Sequence, residues 1–244
     1  MEFAISVKNL IVFATNSLGS TRSQIIKNVS FDIPVGKICV FIGHNGAGKT
    51  TTVKSILGLR PIKNGEITIF DKSHRDPTSR LSVGYIPEKG SIENISAKNF
   101  LKIIGRFYNL KSDQVTNEIN KILKSFDCAD FNLNRKLNKL SAGQNKIINI
   151  AQAFLAPNKL IIADEPTDNL DPENRDMFWD FVNKYHCEHP ETTFFIITHN
   201  LDEVEKYADY MIIMDHGEIK HAGPYDRSAG LRAKYRAMRD EWRL

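Results

Sequence analysis

Ile38-Cys39-Val40-Phe41-Ile42-Gly43-His44-Asn45-Gly46-Ala47-Gly48-Lys49-Thr50-Thr51 runs from a strand-sized apolar segment, through a glycine-rich loop, into a segment of helical character. Gly43 to Thr50 fits the pattern glycine, four residues, Gly-Lys-Ser/Thr, in the strand-before, helix-after context that gives the pattern meaning. Glycines let successive backbone N–H groups turn toward one anion with no Cβ in the way. A helix that starts near Gly48 adds its positive dipole end to the same charge. Lys49 then reaches the terminal phosphates of a nucleotide, and the Thr50 hydroxyl is a ligand for Mg²⁺. The plain alternative is a glycine-rich turn with an exposed lysine and no ligand, and the flanking strand and helix weigh against it.

Outward from this loop the chain alternates. Residues 3–13 and 25–33 read as strands, with Val29, Phe31 and Ile33 alternating in the second, and a polar loop at 15–21 separates them. Residues 49–59 read as a helix, and 65–70 and 81–86 as strands. Residues 96–136 have helical periodicity, carried by Phe100, Ile103, Ile104 and Phe107 and then by Val115, Ile119, Ile122, Leu123 and Phe126. A helix runs from Ser141 to Phe154, followed by strand 159–163, helix 173–186, strand 193–198, helix 201–206 and strand 210–214. Strands alternating with helices predict an α/β fold with a mostly parallel sheet and a helical insertion.

Leu160-Ile161-Ile162-Ala163-Asp164-Glu165 is an apolar strand that ends in two acids. Buried parallel strands deliver ligands at their carboxyl ends. Asp164 is placed to hold Mg²⁺ and Glu165 to polarise an attacking water as general base; the alternative is a strand running into an acidic turn. His199 follows a second apolar strand and reads as a hydrogen-bond partner for a γ-phosphate, or as a structural histidine. Ser141, in Leu140-Ser141-Ala142-Gly143-Gln144, is a good N-cap, and the helix start behind it is either an ordinary cap or a second anion site. One lysine loop and one acid pair beside two phosphate-binding devices suggest two chains packed head to tail, each completing the other's site.

Bulk composition narrows the class. The chain has 244 residues, 41% hydrophobic and 25% charged, which suits a folded globular protein. A net charge of +4 points to neither a nucleic-acid binder nor an acidic tail. No apolar run approaches the roughly 20 residues that cross a bilayer, and the first residues do not read as a signal peptide. The three cysteines, Cys39, Cys128 and Cys187, are too scattered for a metal motif.

Taken together and in this order, these motifs resemble the nucleotide-binding domain of ABC transporters over about residues 3–225, most specifically through the LSGGQ-like segment 140–144. The resemblance implies a P-loop NTPase core with a mostly parallel sheet, an N-terminal antiparallel β subdomain and a helical insertion carrying that signature. It implies one domain over 1–244: core 1–87 and 157–225, helical subdomain 88–156, basic tail 226–244. It implies that Gly43, His44, Asn45, Gly46, Ala47, Gly48, Lys49, Thr50 and Thr51 bind ATP, that Thr50, Asp164 and Glu88 serve Mg²⁺, and that Glu165 and His199 are catalytic. Ser141, Gly143 and Gln144 would contact the nucleotide of the partner subunit, and Asp171 matches the D-loop. Three positions depart from the family's pattern: Ala142 replaces a glycine, Glu88 replaces the Q-loop glutamine, and Ala14 falls where an adenine-stacking aromatic is usual. Phe13 either takes that role or belongs to the core. Pro87-Glu88, with Glu165-Pro166-Thr167 and Asn169-Leu170-Asp171-Pro172, looks more like the subunits of ABC-2-type exporters than like importers. The partners implied are transmembrane permease subunits and a second copy or paralogue, at the cytoplasmic face of the membrane; nucleic acid is not expected. The competing classes are a soluble ABC-type ATPase in translation or DNA maintenance, and an ATP sensor without turnover.

Overall fold

The computed structural model describes residues 2–15, 21–90 and 93–226. Most of the polar loop expected at 15–21 and nearly all of the basic tail expected at 226–244 lie outside the described residues. In chain order the elements are β1 (Phe3–Thr15), β2 (Thr21–Pro34), β3 (Ile38–Ile42), α1 (Lys49–Ile56), β4 (Asn64–Ile69), β5 (Lys72–Ser73), β6 (Val83–Ile86), α2 (Ala97–Phe107), α3 (Ser112–Ser125), α4 (Ala142–Ala153), β7 (Leu160–Asp164), α5 (Pro172–Glu188), β8 (Thr193–Ile197), α6 (Leu201–Tyr207), β9 (Tyr210–Asp215) and β10 (Glu218–Pro224). They form two compact units, Met1–Leu81 with Thr193–Leu244, and Ser82–Thr192.

The first unit holds an antiparallel sheet in the order β2-β1-β4-β5. Alternation buries Ile5 and Val7 of β1 against Ile69 and Ile67 of β4. Asn9, left-handed at φ 51°, sits in the register shift between Val7 and Leu10 and moves the buried face from odd to even residues, so Leu10 and Val12 are buried next. In the same unit β3 runs parallel to β8 and to β9, while β10 returns antiparallel to β9. β3 and β8 are buried along their whole length, as parallel strands covered on both faces must be. Phe41 stacks on Phe195 at 5.5 Å between ring centroids, and Phe31 tilts against both. The α/β class, the parallel strands and the separate antiparallel sheet all agree with the sequence reading.

The second unit pairs β6 parallel to β7, sets α4 against β6, and also contains α2, α3 and α5. An aromatic cluster, Phe126, Phe154, Phe181 and Tyr185, with neighbouring centroids 4.8 to 6.3 Å apart, joins α4 to α5 and the end of α3. Gly105 brings α2 against α3: a Cβ there would lie 2.3 Å from Val115 Cγ2.

Several boundaries differ from the sequence reading, for identifiable reasons. α1 stops at Ile56, short of Leu59, because Gly58 turns left-handed at φ 68° and Leu59 and Arg60 both donate to Lys54 O. The helical stretch read to 136 ends at Ser125, and left-handed Asn109 and Asp127 close α2 and α3. The strand expected from 81 begins at Val83, after a 3-10 turn over Pro77–Arg80. β10 escaped notice because Lys220, His221 and Gly223 dilute its apolar pattern. No described helix is long and apolar enough to cross a membrane.

Candidate functional site

The glycine-rich loop lies in the first unit, between β3 and α1. Its glycines answer to two demands. A Cβ on Gly43 would meet the backbone oxygen of Met214 at 2.2 Å, so the loop can leave β3 against β9 only with glycine there. Gly46 and Gly48 have φ of 87° and 111°, which L side chains rarely adopt. Ala47 N donates to His44 O at 3.1 Å, and Gly217 N, from the β9–β10 turn, donates to Ala47 O at 3.0 Å. Lys49 is 6% exposed, and its Nζ donates to Gly43 O at 2.7 Å and His44 O at 3.3 Å, folding the ammonium back over its own loop. α1 starts with left-handed Gly48, without a side-chain cap and without an acid in its first turn. Its first N–H groups therefore meet no fixed negative charge from this helix, the condition under which a helix start receives an anion. His44, Asn45 and Gly46 are exposed; Ala47 and Gly48 are buried; Thr50 and Thr51 are half-buried. His199 follows β8, whose parallel pairing with β3 puts it at the same carboxyl edge as the loop. β8 itself ends at Ile197, and Thr198 N donates to Phe41 O at 3.3 Å, so His199 is exposed just past the strand.

The strand-end acids lie in the second unit. Asp164 closes β7 with no exposure, and Glu165 is 8% exposed with φ 47°. A left-handed residue other than glycine carries backbone strain, held here by a tight turn in which Asp168 N donates to Glu165 O at 3.2 Å and Leu170 N to Thr167 O at 3.2 Å. The same turn delivers Asp171, whose carboxylate caps α5 through Asn174 N at 2.9 Å. That backbone hydrogen bond holds the Asp171 carboxyl below the ordinary range. Burial, reinforced by the charges of Asp164 and Glu88, pushes the Tyr85 phenol up, so it remains a neutral group beside the acids.

Lys146, absent from the sequence reading, is the residue that organises this unit. It sits on α4, 3% exposed, and its Nζ donates to Glu165 O at 2.9 Å, Glu88 O at 3.0 Å and Pro87 O at 3.3 Å. One ammonium thus ties the signature helix to the strand-end acid and to the segment that carries Glu88. Desolvation lowers its pKa, and the carboxylates of Asp168, Asp164, Glu88 and Glu165 oppose that shift. The available signal is a lone lysine ahead of Ile147, Ile148, Ile150 and Ala151 in the buried middle of α4.

Ser141 and Gln144 form a reciprocal capping box at the start of α4, each at 3.2 Å. The N-cap reading of Ser141 is therefore correct, and it leaves the exposed helix start able to meet a further anion. Gly143 approaches the turn after Glu165: a Cβ there would lie 3.2 Å from Asn169 O. A cavity of about 310 Å³ brings Glu88, Ser141, Lys146 and Asn169 together. Phe13, in β1, is half-buried rather than a core residue, and its carbonyl accepts from Arg60 at 3.2 Å.

Comparison with known proteins bears on what these groups serve. The family model described as ABC transporter matches residues 26–168, more than half of the chain. A putative ABC transporter ATP-binding protein from Mycoplasma pneumoniae is 32% identical over 203 residues, covering 83% of this chain. The match covers 62% of that relative's length, less than two thirds. The Nod factor export ATP-binding protein I of Cupriavidus metallidurans is 28% identical over 206 residues, 83% of this chain and 67% of that protein. A solved structure described as the ATP-binding subunit of an ABC transporter superposes with a TM-score of 0.84 at 27% identity, covering 96% of this chain and 99% of the other.

Proposed function

The chain belongs to the ABC transporter family, and we propose from that premise that it is the ATP-binding and ATP-hydrolysing subunit of an exporter whose membrane-spanning part is a separate chain. The observation that carries this reading is the loop Gly43–Thr50, where two left-handed glycines, an uncapped helix start and the folded-back Lys49 make a receptor for phosphate oxygens. The export direction draws on the Pro87-Glu88 pair and on the likeness to a relative named for Nod factor export.

In this reading Lys49 leaves its two loop carbonyls for the β- and γ-phosphate oxygens, and the α1 N–H groups take the remaining charge. Thr50, Asp164 and Glu88 would each offer magnesium an oxygen; hydroxyl and carboxylate donors without a thiolate are the hard set that this ion prefers. When bound, magnesium neutralises the charge that grows on the phosphates. Glu165 accepts a proton from the attacking water, and its turn, fixed by Lys146 and Asp168, keeps the carboxylate aimed. His199 donates to the γ-phosphate, Phe13 stacks on the adenine, and Asp171 relays the state of the site across the dimer. Ser141, Gly143 and Gln144 meet the γ-phosphate held by a second copy or a paralogue, so two ATP molecules close a head-to-tail pair and hydrolysis reopens it. The exposed Ile103 and Phe107 of α2 offer apolar surface for the transmembrane partner at the cytoplasmic face.

The test is Glu165→Gln, which keeps the side chain's size and removes its base. Phosphate release is expected to stop while ATP binding persists and the protein shifts to a dimer with ATP and magnesium. Normal phosphate release by this variant would remove Glu165 from its role.

A further inference from the structure

Within the first unit, the loop residue His44, whose part in ATP binding falls to its backbone, directs its imidazole toward the carboxylate of Asp215 and the imidazole of His216. One ligand atom from each lies within 4.8 Å of the others. His44 Nε2 is 3.1 Å from Asp215 Oδ1, and His216 Nε2 is 4.0 Å from Asp215 Oδ2. The rings of His44 and His216 lie 4.8 Å apart, tilted 54°.

The hydrogen bonds decide the chemistry. His44 Nδ1 is 2.7 Å from Asn45 O, and a carbonyl can only accept, so Nδ1 carries the proton. Nε2 of a neutral ring then presents a lone pair, and it faces a carboxylate oxygen. Two acceptors at 3.1 Å require a cation between them, either a second proton on the ring or a metal ion. A histidine whose other nitrogen donates to a carbonyl is the usual form of a metal ligand. His216 supplies the third donor, and its left-handed backbone, φ 45°, is set in the turn between β9 and β10.

We propose that His44, Asp215 and His216 form a site for a borderline transition-metal ion such as Zn²⁺, Co²⁺ or Ni²⁺. Two imidazoles and a carboxylate suit these ions and not Mg²⁺, which prefers oxygen alone. Ligand atoms about 3.3 Å apart would give tetrahedral Zn²⁺ with a fourth position for water, and the remaining closure falls on His216, 76% exposed and able to rotate. The ion would fasten the phosphate loop to the β9–β10 turn, alongside the existing bond from Gly217 N to Ala47 O.

The test is zinc uptake by the metal-free full chain in equilibrium dialysis against an excess of Mg²⁺, with wild type, His44→Ala and His216→Ala compared. Co²⁺ absorption in the visible is read in parallel, and circular dichroism confirms each fold. Wild type is expected to hold one more Zn²⁺ per chain than either variant, or to bind it at least about tenfold more tightly, with a Co²⁺ band that both variants lose. Should His44→Ala fail to fold, the exposed His216→Ala decides alone. Equal uptake and equal Co²⁺ spectra in wild type and variants would overturn the site. These readouts need no ATP, so their failure would leave the nucleotide reading intact.

Discussion

Lys146→Met keeps most of the side-chain volume and removes the ammonium that ties three carbonyls together. Pro87 O and Glu88 O lose their donor, while Glu165 O keeps Asp168 N at 3.2 Å. Pro87 is half-buried and Glu88 exposed, so water replaces part of the loss, and each carbonyl costs at the low end, about 1 kcal/mol. The charge effects oppose each other: Asp164, Asp168, Glu88 and Glu165 lose a counter-charge, and the desolvation that lowers the lysine's pKa is relieved. The net expectation is a loss of about 2 kcal/mol. With a urea slope of about 3 kcal/mol per molar, the midpoint falls by about 0.7 M in the absence of nucleotide. Because the lost contact also fixes the Glu165 backbone, phosphate release is expected to fall at least about tenfold, equivalent to about 1.4 kcal/mol. Lys146→Arg, which keeps the charge, recovers part of both. A Lys146→Met protein with an unshifted midpoint and unchanged phosphate release would refute the view that this ammonium anchors the acid turn.

Gly48→Ala forces a side chain into φ 111° and places its Cβ 2.7 Å from Ile26 Cδ1, so about 1–2 kcal/mol of stability is expected to go, read as a Tm lower by roughly 2–8 °C. His74 is buried, and desolvation holds its imidazole below the ordinary 6.5. As pH falls through 6.5 the unfolded chain therefore takes up its proton before the folded one, and stability drops; His74→Gln should flatten that acid limb in urea titrations at stepped pH. Thiol labelling of the native protein should reach the exposed Cys187 first and Cys128, half-buried with its pKa raised by burial, more slowly. Cys39, whose thiol burial pushes far up, should react only after denaturation.

Local chemistry made much of this molecule legible. The run Ile38–Ile42 followed by Gly43–Thr50 specified a strand, a loop and a helix start, and each formed where its residues predicted. Leu160–Asp164 likewise became a fully buried strand ending in the acids. Periodicity failed where single residues with positive φ rule: Gly58, Asn109 and Asp127 end helices that the apolar spacing carried further. A lysine among apolar residues marked position 146, but its role was not legible because it depends on three carbonyls at positions 87, 88 and 165, distant in sequence. The pairing of His44 with Asp215 joins residues 171 positions apart, and no local pattern announces it.

We propose above all that Lys49 holds the terminal phosphates of magnesium-bound ATP. Equilibrium binding of labelled ATP to wild type and Lys49→Ala, with and without Mg²⁺, tests it most directly. Saturable binding by wild type in the presence of the ion, and affinity weakened at least about tenfold by the substitution, is the predicted result. No ATP binding by the wild-type protein, or equal affinity in the variant, would contradict it.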